Sequence, residues 1–291
     1  MSDELFELRN YFYLGNFSAA TTEGETVEAD NEKDRIERDV IMARIQIARK
    51  EYSKVLNSIT PDSSVAMQAV ALLAKYHSDP TTNKDGYVEV LSKMLEDDVS
   101  KENPTVLTIG TIVYAESEDY DNALRTAQKG NEFEHMALKV QILIKMDRVD
   151  AAKEVVTVMR EIDEDNTLTQ LAAAWTYVAE GGKDVEEALS IYQDLLERHG
   201  ATDPILNGMA TCHLSLGQYD EADRVLQEAL AKDQNVAATL INSVVCAKYR
   251  NKHSELVQRY LNQLRTVAPE EPWLKDIDAK STELDRIASA F

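Results

Sequence analysis

The chain has 291 residues, of which 52 are acidic and 31 are basic, so its formal net charge is −21. Proteins that bind nucleic acid or anionic membranes cluster lysine and arginine, because contact with phosphate depends on those cations. The composition therefore argues against binding to nucleic acid or to anionic membranes, and we expect no direct membrane insertion. No apolar run approaches the length of a bilayer, and the acidic, amphipathic start MSDELFELRN is unlike a signal peptide, so we expect a cytoplasmic protein.

The first third of the chain contains three predicted helical hairpins of uneven quality. A helix is predicted at about 3–13, but the following stretch SAATTEGETVEAD has a glycine and two adjacent threonines, so its second helix is expected to be short or frayed. Regular apolar spacing predicts a second hairpin at 35–57. The third hairpin, 62–97, is interrupted by HSDPTTNKDG, which predicts an enlarged loop between its helices.

Two later helices begin with a capping residue followed by proline. Asn103 and Pro104 form one such pair, and Asp203 and Pro204 form the other. Asn or Asp can accept the free amide hydrogens of a first turn, and proline has no amide hydrogen to leave unpaired. After Asp203, two amphipathic helices follow with Gly217 at the end of the first, and this hairpin is the clearest in the chain.

The packing position held by an alanine in that hairpin recurs along the whole chain. Successive positions lie 29 to 36 residues apart, and five carry an aromatic residue three positions earlier. The aligned positions are Ala20, Val55, Val90, Ala123, Ala152, Ala188, Ala222 and Val257. A period near 34 residues resembles the tetratricopeptide repeat. We therefore predict an all-α fold, an α-solenoid of about eight tetratricopeptide-like helical hairpins plus a C-terminal capping helix.

This architecture predicts one domain, because each hairpin of a solenoid buries its apolar face on its neighbours. A single solenoid is expected over 1–291, with more divergent repeats at 1–100 and regular repeats at 101–268. The capping helix is predicted at 272–291, where Trp273, Ile277, Leu284 and Ile287 share one face.

The two cysteines, Cys212 and Cys246, lie in predicted helices of consecutive repeats and have no CxxC spacing. Cysteines in a cytosolic protein are usually reduced. We therefore expect buried thiols rather than a disulfide or a metal site.

Few residues suggest chemistry. The segment Gly181–Lys183 lacks the upstream glycine and the preceding strand of a phosphate-binding loop, so a turn explains it better. Asp163, Asp165 and Asn166 lack the central glycine and closing glutamate of a calcium loop, which favours a helix-capping turn. His213 occupies a packing position and is expected to be an interior histidine. We predict no catalytic residue, cofactor or metal, and no enzyme activity.

A partner-binding groove is the remaining candidate site. In these repeats the first helix of each hairpin lines the concave side, whose exposed positions are the usual contact points. Fifteen residues occupy those positions: Arg9, Phe12, Tyr13, Arg44, Ile47, Ile112, Gln141, Ile144, Tyr177, Asn207, Thr211, Leu214, Asn242, Cys246 and Tyr249. Several are apolar, which favours a groove occupied by a partner segment with Tyr177 and Tyr249 as anchors. Packing between neighbouring repeats explains the same residues equally well.

Beyond the generic repeat, four stretches carry a more specific resemblance. They are LRNYFYLGNF, LAAAWTYVAEGGKDVEEALSIYQDLL, LNGMATCHLSLGQYDEADRVLQEALAKD and TLINSVVCAKY. Through them the chain resembles the coatomer epsilon-subunit family, more closely in its C-terminal half than at about 20–100. The resemblance implies a non-enzymatic coat subunit that binds and stabilises the C-terminal region of the coatomer alpha subunit as a heterodimer. It also implies a role in Golgi-to-ER and intra-Golgi vesicle transport, at Golgi membranes through the coat.

The alternative function is a tetratricopeptide co-chaperone or another cytosolic scaffold that binds a peptide in its concave groove. A co-chaperone that clamps a peptide carboxylate needs paired asparagines and lysines on the concave helices. Arg9 and Arg44 are the basic residues expected there, and the sequence presents them as isolated charges in acidic surroundings. The co-chaperone is therefore the less favoured function.

Overall fold

The computed structural model of the chain describes residues 3–78, 84–251 and 254–289. Over these residues the secondary structure consists of α-helices, with no strand. The helices are α1 (Phe6–Tyr13), α2 (Phe17–Thr26), α3 (Glu32–Ala48), α4 (Tyr52–Ser58), α5 (Val65–Ser78), α6 (Lys84–Glu96), α7 (Pro104–Glu116), α8 (Tyr120–Ala127), α9 (Phe133–Lys145), α10 (Val149–Ile162), α11 (Thr167–Glu180), α12 (Asp184–His199), α13 (Asp203–Ser215), α14 (Tyr219–Lys232), α15 (Ala237–Tyr249), α16 (Ser254–Val267) and α17 (Pro272–Ala288). The all-α prediction is confirmed.

The helices form two compact units, unit 1 (Met1–Glu180) and unit 2 (Gly181–Phe291). In unit 1 the successive pairs α1/α2, α3/α4, α5/α6, α7/α8 and α9/α10 pack as hairpins, and α11 packs on α9 and α10. In unit 2, α12 packs on α13, the pairs α13/α14 and α15/α16 form hairpins, and α17 contacts α16. A single solenoid over 1–291 stays a prediction.

The aligned repeat positions lie in the interior, with one exception. Seven of the eight are fully buried or nearly so, whereas Val90 is 47% exposed. Its neighbour Leu91 is completely buried and belongs to the core cluster of α5, α6 and α7. The predicted landmark of the third hairpin is therefore wrong by one residue. Because α6 begins at Lys84, Tyr87 stands one turn before Leu91 instead of at the start of the helix.

The expectation of a short or frayed second helix in the first hairpin is wrong. The ten-residue helix α2 runs without interruption through both threonines and the glycine. Thr21 and Thr22 donate their hydroxyls to carbonyls one turn back, at 2.7 and 3.2 Å. Gly24 faces α3 so closely that a Cβ there would overlap the Sδ atom of Met42. The glycine thus permits close helix packing, which offsets its poor helix propensity.

The two cap-then-proline pairs behave differently. Asn103 caps α7, because its side chain accepts from the amide of Val106 at 3.2 Å. Asp203, predicted to be a cap, is instead the first residue of α13, and Thr202 occupies the capping position. Gly217 follows this helix with a φ of 71°, as its predicted role at the helix end requires.

The enlarged loop predicted within the third hairpin falls largely on residues 79–83, which lie outside the described residues. The residues of the motif on either side are helical: His77 and Ser78 end α5, and Lys84, Asp85 and Gly86 begin α6. These five residues of the ten-residue motif therefore belong to helices, and the prediction for the other five lies outside the described residues.

The capping helix is only partly packed. Leu274 at the start of α17 is buried in the α15/α16 core, and Trp273 packs beside it. Leu284 and Ile287, expected on the buried face, are exposed. The prediction of a packed face along the whole helix is therefore wrong beyond its first turns.

The turns and polar residues singled out in the sequence are structural. Gly181 and Gly182 have φ values of 78° and 61°, which are typical of glycine turns. Asp163 accepts from the amide of Asp165 at 3.1 Å, as a capping turn requires. His213 is buried, and its Nδ1 lies 2.7 Å from Gln218 Oε1, so the prediction of a satisfied interior histidine is confirmed. None of the helices in the described ranges is long and apolar enough to cross a bilayer.

Candidate partner-binding site

The interior of unit 1 is organised around an ion pair between α3 and α9. The guanidinium of Arg44 donates two hydrogen bonds to the carboxylate of Glu134, one of them at 3.0 Å from Nη1 to Oε2. The two side chains are only 12% and 15% exposed. Burial alone would lower the pKa of Arg44, but the charge and hydrogen bonds of Glu134 outweigh it and raise that pKa. Glu134 also lies in the first turn of α9, where the helix dipole favours negative charge.

Two aromatic residues of α1 complete this centre. The Arg44 guanidinium lies 4.7 Å from the centroid of the Phe12 ring, which is cation–π geometry. The Tyr13 hydroxyl donates to Glu134 Oε2 at 3.3 Å. Burial raises the pKa of Tyr13 well above its usual value, and the nearby charge of Glu134 raises it further, so the phenol stays a donor. Residues from α1, α3 and α9 therefore hold one another in fixed positions.

Arg9 also has partners, so the expectation that Arg9 and Arg44 are isolated cations is wrong. Arg9 Nε donates to Glu37 Oε1 at 2.5 Å, and its Nη1 donates to Asp3 Oδ2 at 2.5 Å. Both predicted cations are neutralised within the protein, and neither is a free contact for a peptide carboxylate.

Three cavities surround this centre. The Phe12 cavity has a volume of about 470 Å³, and its lining includes Phe12, Tyr13, Arg44, Ile47 and Ile112. A second cavity, of about 370 Å³, is lined in part by Thr108 and is called the Thr108 cavity. A third, of about 430 Å³, is lined in part by Asn10 and is called the Asn10 cavity. These two cavities share a wall. The shared wall consists of Tyr13, Lys33, Glu37, Glu132 and Glu134. Cavities of this size are typical of sites that receive a ligand or side chains.

The N-terminal helix closes this interior on one side. The Oδ1 atom of Asn10 in α1 accepts from the Thr167 hydroxyl in α11 at 2.8 Å, which joins residues far apart in sequence. Asn10 lines the cavity named after it and is 6% exposed. Its Nδ2 atom is buried and has no hydrogen-bond partner among the described residues. An amide donor is thus left unsatisfied at the cavity.

The remaining predicted residues of unit 1 lie elsewhere. Gln141 is exposed and Ile144 half-buried on α9, and neither lines the three cavities. Tyr177 on α11 accepts from Arg160 Nη1 at 3.0 Å, and the guanidinium lies 5.5 Å from its ring centroid. The structure therefore brings Phe12, Tyr13, Arg44, Ile47 and Ile112 together but not these three.

In unit 2 the predicted asparagines form a network between α13 and α15. Asn242 Nδ2 donates to Asn207 Oδ1 at 3.0 Å, and Asn207 Nδ2 donates to Thr239 Oγ1 at 2.8 Å. Thr211 Oγ1 donates to the Asn207 carbonyl at 2.8 Å. Leu214, one turn further on, is half-buried. The bonds of Asn207 with Asn242 and Thr239 hold α13 and α15 of adjacent repeats together, as the packing explanation of the sequence pattern requires.

At the other end of α15, Tyr249 is 59% exposed and stacks on Tyr219, with ring centroids 4.8 Å apart. The Cys246 thiol donates to the Tyr219 carbonyl at 3.4 Å. Cys212 is also buried, and burial raises the pKa of its thiol to about 12. The expected burial of both thiols is confirmed.

Three predicted contact residues are less accessible than a groove position requires. Ile47, Asn207 and Cys246 are buried in the packing between helices, so the expectation that they are exposed is wrong. The sequence reasoning also missed Glu37 and Glu134, which bind Arg9, Arg44 and Tyr13, and Asn10, which lines the same cavity as Arg9 and Tyr13. Glu134 lies 90 residues from Arg44, and neither the repeat period nor the local sequence relates the two.

Solved structures with a similar chain path are tetratricopeptide-repeat proteins. A crystal structure of a tetratricopeptide-repeat protein from Parabacteroides merdae matches with a TM-score of 0.55 and 11% identity, covering 94% of this chain and 95% of that one. The type IV pilus biogenesis factor PilW matches with a TM-score of 0.53 and 14% identity, covering 74% of this chain and 99% of that one. The fold is therefore that of a tetratricopeptide-repeat protein, a class built as stacked helical hairpins.

Sequence comparison identifies the family within this class. The coatomer epsilon subunit family model matches residues 1–291. Coatomer subunit epsilon-1 of Arabidopsis thaliana is 40% identical over 289 residues, covering 99% of this chain and 97% of that protein. Coatomer subunit epsilon of Caenorhabditis elegans is 32% identical over 290 residues, covering 99% of each. The chain belongs to the coatomer epsilon subunit family, and its members are components of the coatomer vesicle coat.

Proposed function

We propose that this chain is a non-enzymatic coat subunit that binds and stabilises the C-terminal region of the coatomer alpha subunit. The two form a heterodimer within the larger coat. In this function it acts in Golgi-to-ER and intra-Golgi vesicle transport, and it reaches Golgi membranes from the cytoplasm through the coat. The observation that carries the proposal is the interior of unit 1, where three cavities surround the Arg44–Glu134 pair in a member of this family.

The chemistry of this interior suits a protein segment as the bound partner. Tyrosine and arginine dominate the binding energy of many protein interfaces, because they combine apolar area with hydrogen-bonding groups. Phe12 and Tyr13 supply aromatic area here, and Ile112 adds an aliphatic wall. The ion pair and the cation–π contact fix these side chains before binding, which lowers the entropy cost of ordering the interface.

The co-chaperone alternative has less support. Asn207 and Asn242 are paired asparagines on first helices, as a carboxylate clamp needs, but Asn207 is buried and both are bonded to each other. The side-chain amide of Asn207 also donates to Thr239, so it is already occupied by a hydrogen bond within the protein. Arg9 and Arg44 are likewise paired with carboxylates.

Affinity purification of the tagged protein from its own cytosol, followed by mass spectrometry, tests the proposed function. We expect the other coatomer subunits in stoichiometric amounts. Added C-terminal fragment of the alpha subunit should displace the endogenous alpha subunit from the tagged protein. Recovery of chaperones without coatomer, or recovery of coatomer that the fragment does not displace, would contradict the proposal.

A further inference from the structure

The Asn10 cavity of unit 1 combines an excess of carboxylates with an unsatisfied amide donor. Its lining carries five acidic side chains and two basic ones. The acidic residues are Asp3, Glu37, Glu132, Glu134 and Asp163, and the basic residues are Arg9 and Lys33. Even with Arg44 counted against Glu134, negative charge remains in excess.

The ion pairs around the cavity show which carboxylates have no cationic partner. Arg9 is shared between Asp3 and Glu37, and Arg44 is bound to Glu134. Glu132 and Asp163 form no ion pair with any residue in the described part of the chain. Asp163 accepts one backbone hydrogen bond, from the Asp165 amide, which leaves its charge unneutralised.

The surroundings of Glu132 make an added cation favourable. Glu132 is an exposed residue, but the protein around the cavity removes part of the hydration of its carboxylate; this effect and the charges of Glu37 and Glu134 raise its pKa against the opposing effects of His135 and Lys33. A carboxylate with this shift is destabilised in its ionised form. A cation that enters the cavity would offset the repulsion among these carboxylates.

Asn10 provides an independent indication of a ligand. Buried polar groups in folded proteins are nearly always hydrogen-bonded, because an unpaired buried donor has lost its hydrogen bonds to water without a replacement. The Asn10 Nδ2 atom has no acceptor among the described residues, although its Oδ1 atom is bound to Thr167. A peptide carbonyl is an acceptor that a bound protein segment would bring.

We infer that the Asn10 cavity receives a lysine or arginine side chain from the bound partner segment. The cation lies between Glu132 and Asp163, and the Asn10 amide donates to a main-chain carbonyl of the same segment. This inference rests on the proposed function, since it specifies the chemistry of the segment that enters unit 1. It adds that the segment is basic at the point where it passes α1, α9 and the end of α10.

Binding measurements with the purified C-terminal region of the alpha subunit test this inference. The double variant Glu132→Gln/Asp163→Asn removes both charges, while the amide oxygen that replaces the Asp163 carboxylate can still accept the capping hydrogen bond. A matched control, Glu161→Gln/Glu164→Gln, removes two charges next to Asp163 from residues that are equally exposed but do not line the cavity. We expect the first variant to bind about tenfold more weakly, with a smaller dependence of affinity on salt, and the control to bind like the wild type.

The outcomes separate this inference from the proposed function. If the wild type binds the fragment and the double variant binds equally well with the same salt dependence, the inference is wrong and the proposed function stands. If the wild type does not bind the fragment, the proposed function fails first. The variant Asn10→Ala, checked for folding by its melting temperature, should also bind several-fold more weakly. Unchanged binding by a folded Asn10→Ala variant would exclude the amide contact.

Discussion

Arg44 in α3 and Glu134 in α9 form a buried, two-point ion pair that joins segments 90 residues apart. The pair holds the first helices of two different hairpins at a fixed position relative to each other. Phe12 and Tyr13 of α1 contact the same two side chains. Three of the first helices of unit 1 are therefore fixed by one charged centre, and the cavities beside it are shaped before any partner binds.

Removal of one member of this pair should be costly. In Glu134→Gln the Arg44 charge stays buried without a counter-charge, so we expect unfolding free energy to fall by about 3 kcal/mol in chemical denaturation. Glu161→Gln, at an exposed position, should change it by less than about 0.5 kcal/mol. The apolar double variant Arg44→Met/Glu134→Leu should recover most of the loss. A double variant as unstable as Glu134→Gln would contradict this account.

Two glycines in close helix contacts should respond differently to alanine. A Cβ at Gly208 would overlap the Tyr192 ring, whereas a Cβ at Gly24 would meet the flexible end of Met42. Tyr192 is buried and its ring cannot bend away, so we expect Gly208→Ala to cost about 1–3 kcal/mol. Gly24→Ala should be near neutral, because Met42 can change rotamer and alanine favours the helix. Thermal and chemical denaturation of both variants would show the difference, and equal losses would refute it.

The stability of unit 2 should depend on the ionisation of Asp203. Burial raises the pKa of this carboxyl, and the nearby charge of Asp233 raises it further. A raised folded-state pKa means that the stabilising contribution is present below the unfolded-state pKa, about 4, and is lost as the pH rises through the folded-state pKa. Asp203→Asn cannot ionise and should avoid that loss.

We therefore expect Asp203→Asn to gain stability relative to the wild type between about pH 4 and pH 7, with the gain shrinking below about pH 4. Urea denaturation at several pH values would measure this difference. Asp233→Asn, which removes the repelling charge instead, should show a smaller gain in the same direction. A difference between wild type and Asp203→Asn that is independent of pH would contradict the assignment.

Tyr249 is the exposed anchor that the sequence pattern predicts in unit 2. Its ring stacks on Tyr219, and the residue as a whole is 59% exposed. If it is an anchor, Tyr249→Ala should weaken binding of the alpha-subunit region by about 2 kcal/mol, or roughly 30-fold. Leu284→Ala removes a similarly exposed apolar side chain from α17 and should leave affinity unchanged. Equal affinities of both variants in a binding titration would exclude Tyr249 from the interface.

Tyr177 is the second predicted anchor, in unit 1. Arg160 donates to the Tyr177 hydroxyl, and its guanidinium lies over the Tyr177 ring. Part of the aromatic surface is therefore already in contact with Arg160. We therefore expect Tyr177→Ala to lose less partner affinity than Tyr249→Ala while lowering the melting temperature more. A larger affinity loss at Tyr177 than at Tyr249, measured in the same titration, would contradict this prediction.

The helical hairpins could be predicted from the sequence because their signal is local. Apolar residues at three- and four-residue steps and a period near 34 residues reveal the helices and their order.

The error at Val90 has a physical reason. Val90 and Leu91 are adjacent and both apolar, and only the observed burial shows which one faces the core. The capping error at Asp203 is similar, since the adjacent Thr202 is also an accepted cap residue, although a weaker one, and only the structure shows which of the two precedes the helix.

The candidate site was less predictable, because it depends on contacts distant in sequence. Repeat counting found Phe12, Tyr13 and Arg44 from their positions on first helices. It could not find Glu134, because nothing in the sequence distinguishes this carboxylate from the others among the 52 acidic residues. The open donor of Asn10 is likewise visible only once α1 and α11 are in contact.

The proposed function requires that this protein binds the C-terminal region of the coatomer alpha subunit through the interior of unit 1. Isothermal titration calorimetry of the two purified components measures this binding, with a Tyr13→Ala variant as the comparison. We predict a saturable one-to-one complex that is at least about tenfold weaker for the folded Tyr13→Ala variant. The absence of binding by the wild type, or equal binding by wild type and variant, would contradict the claim.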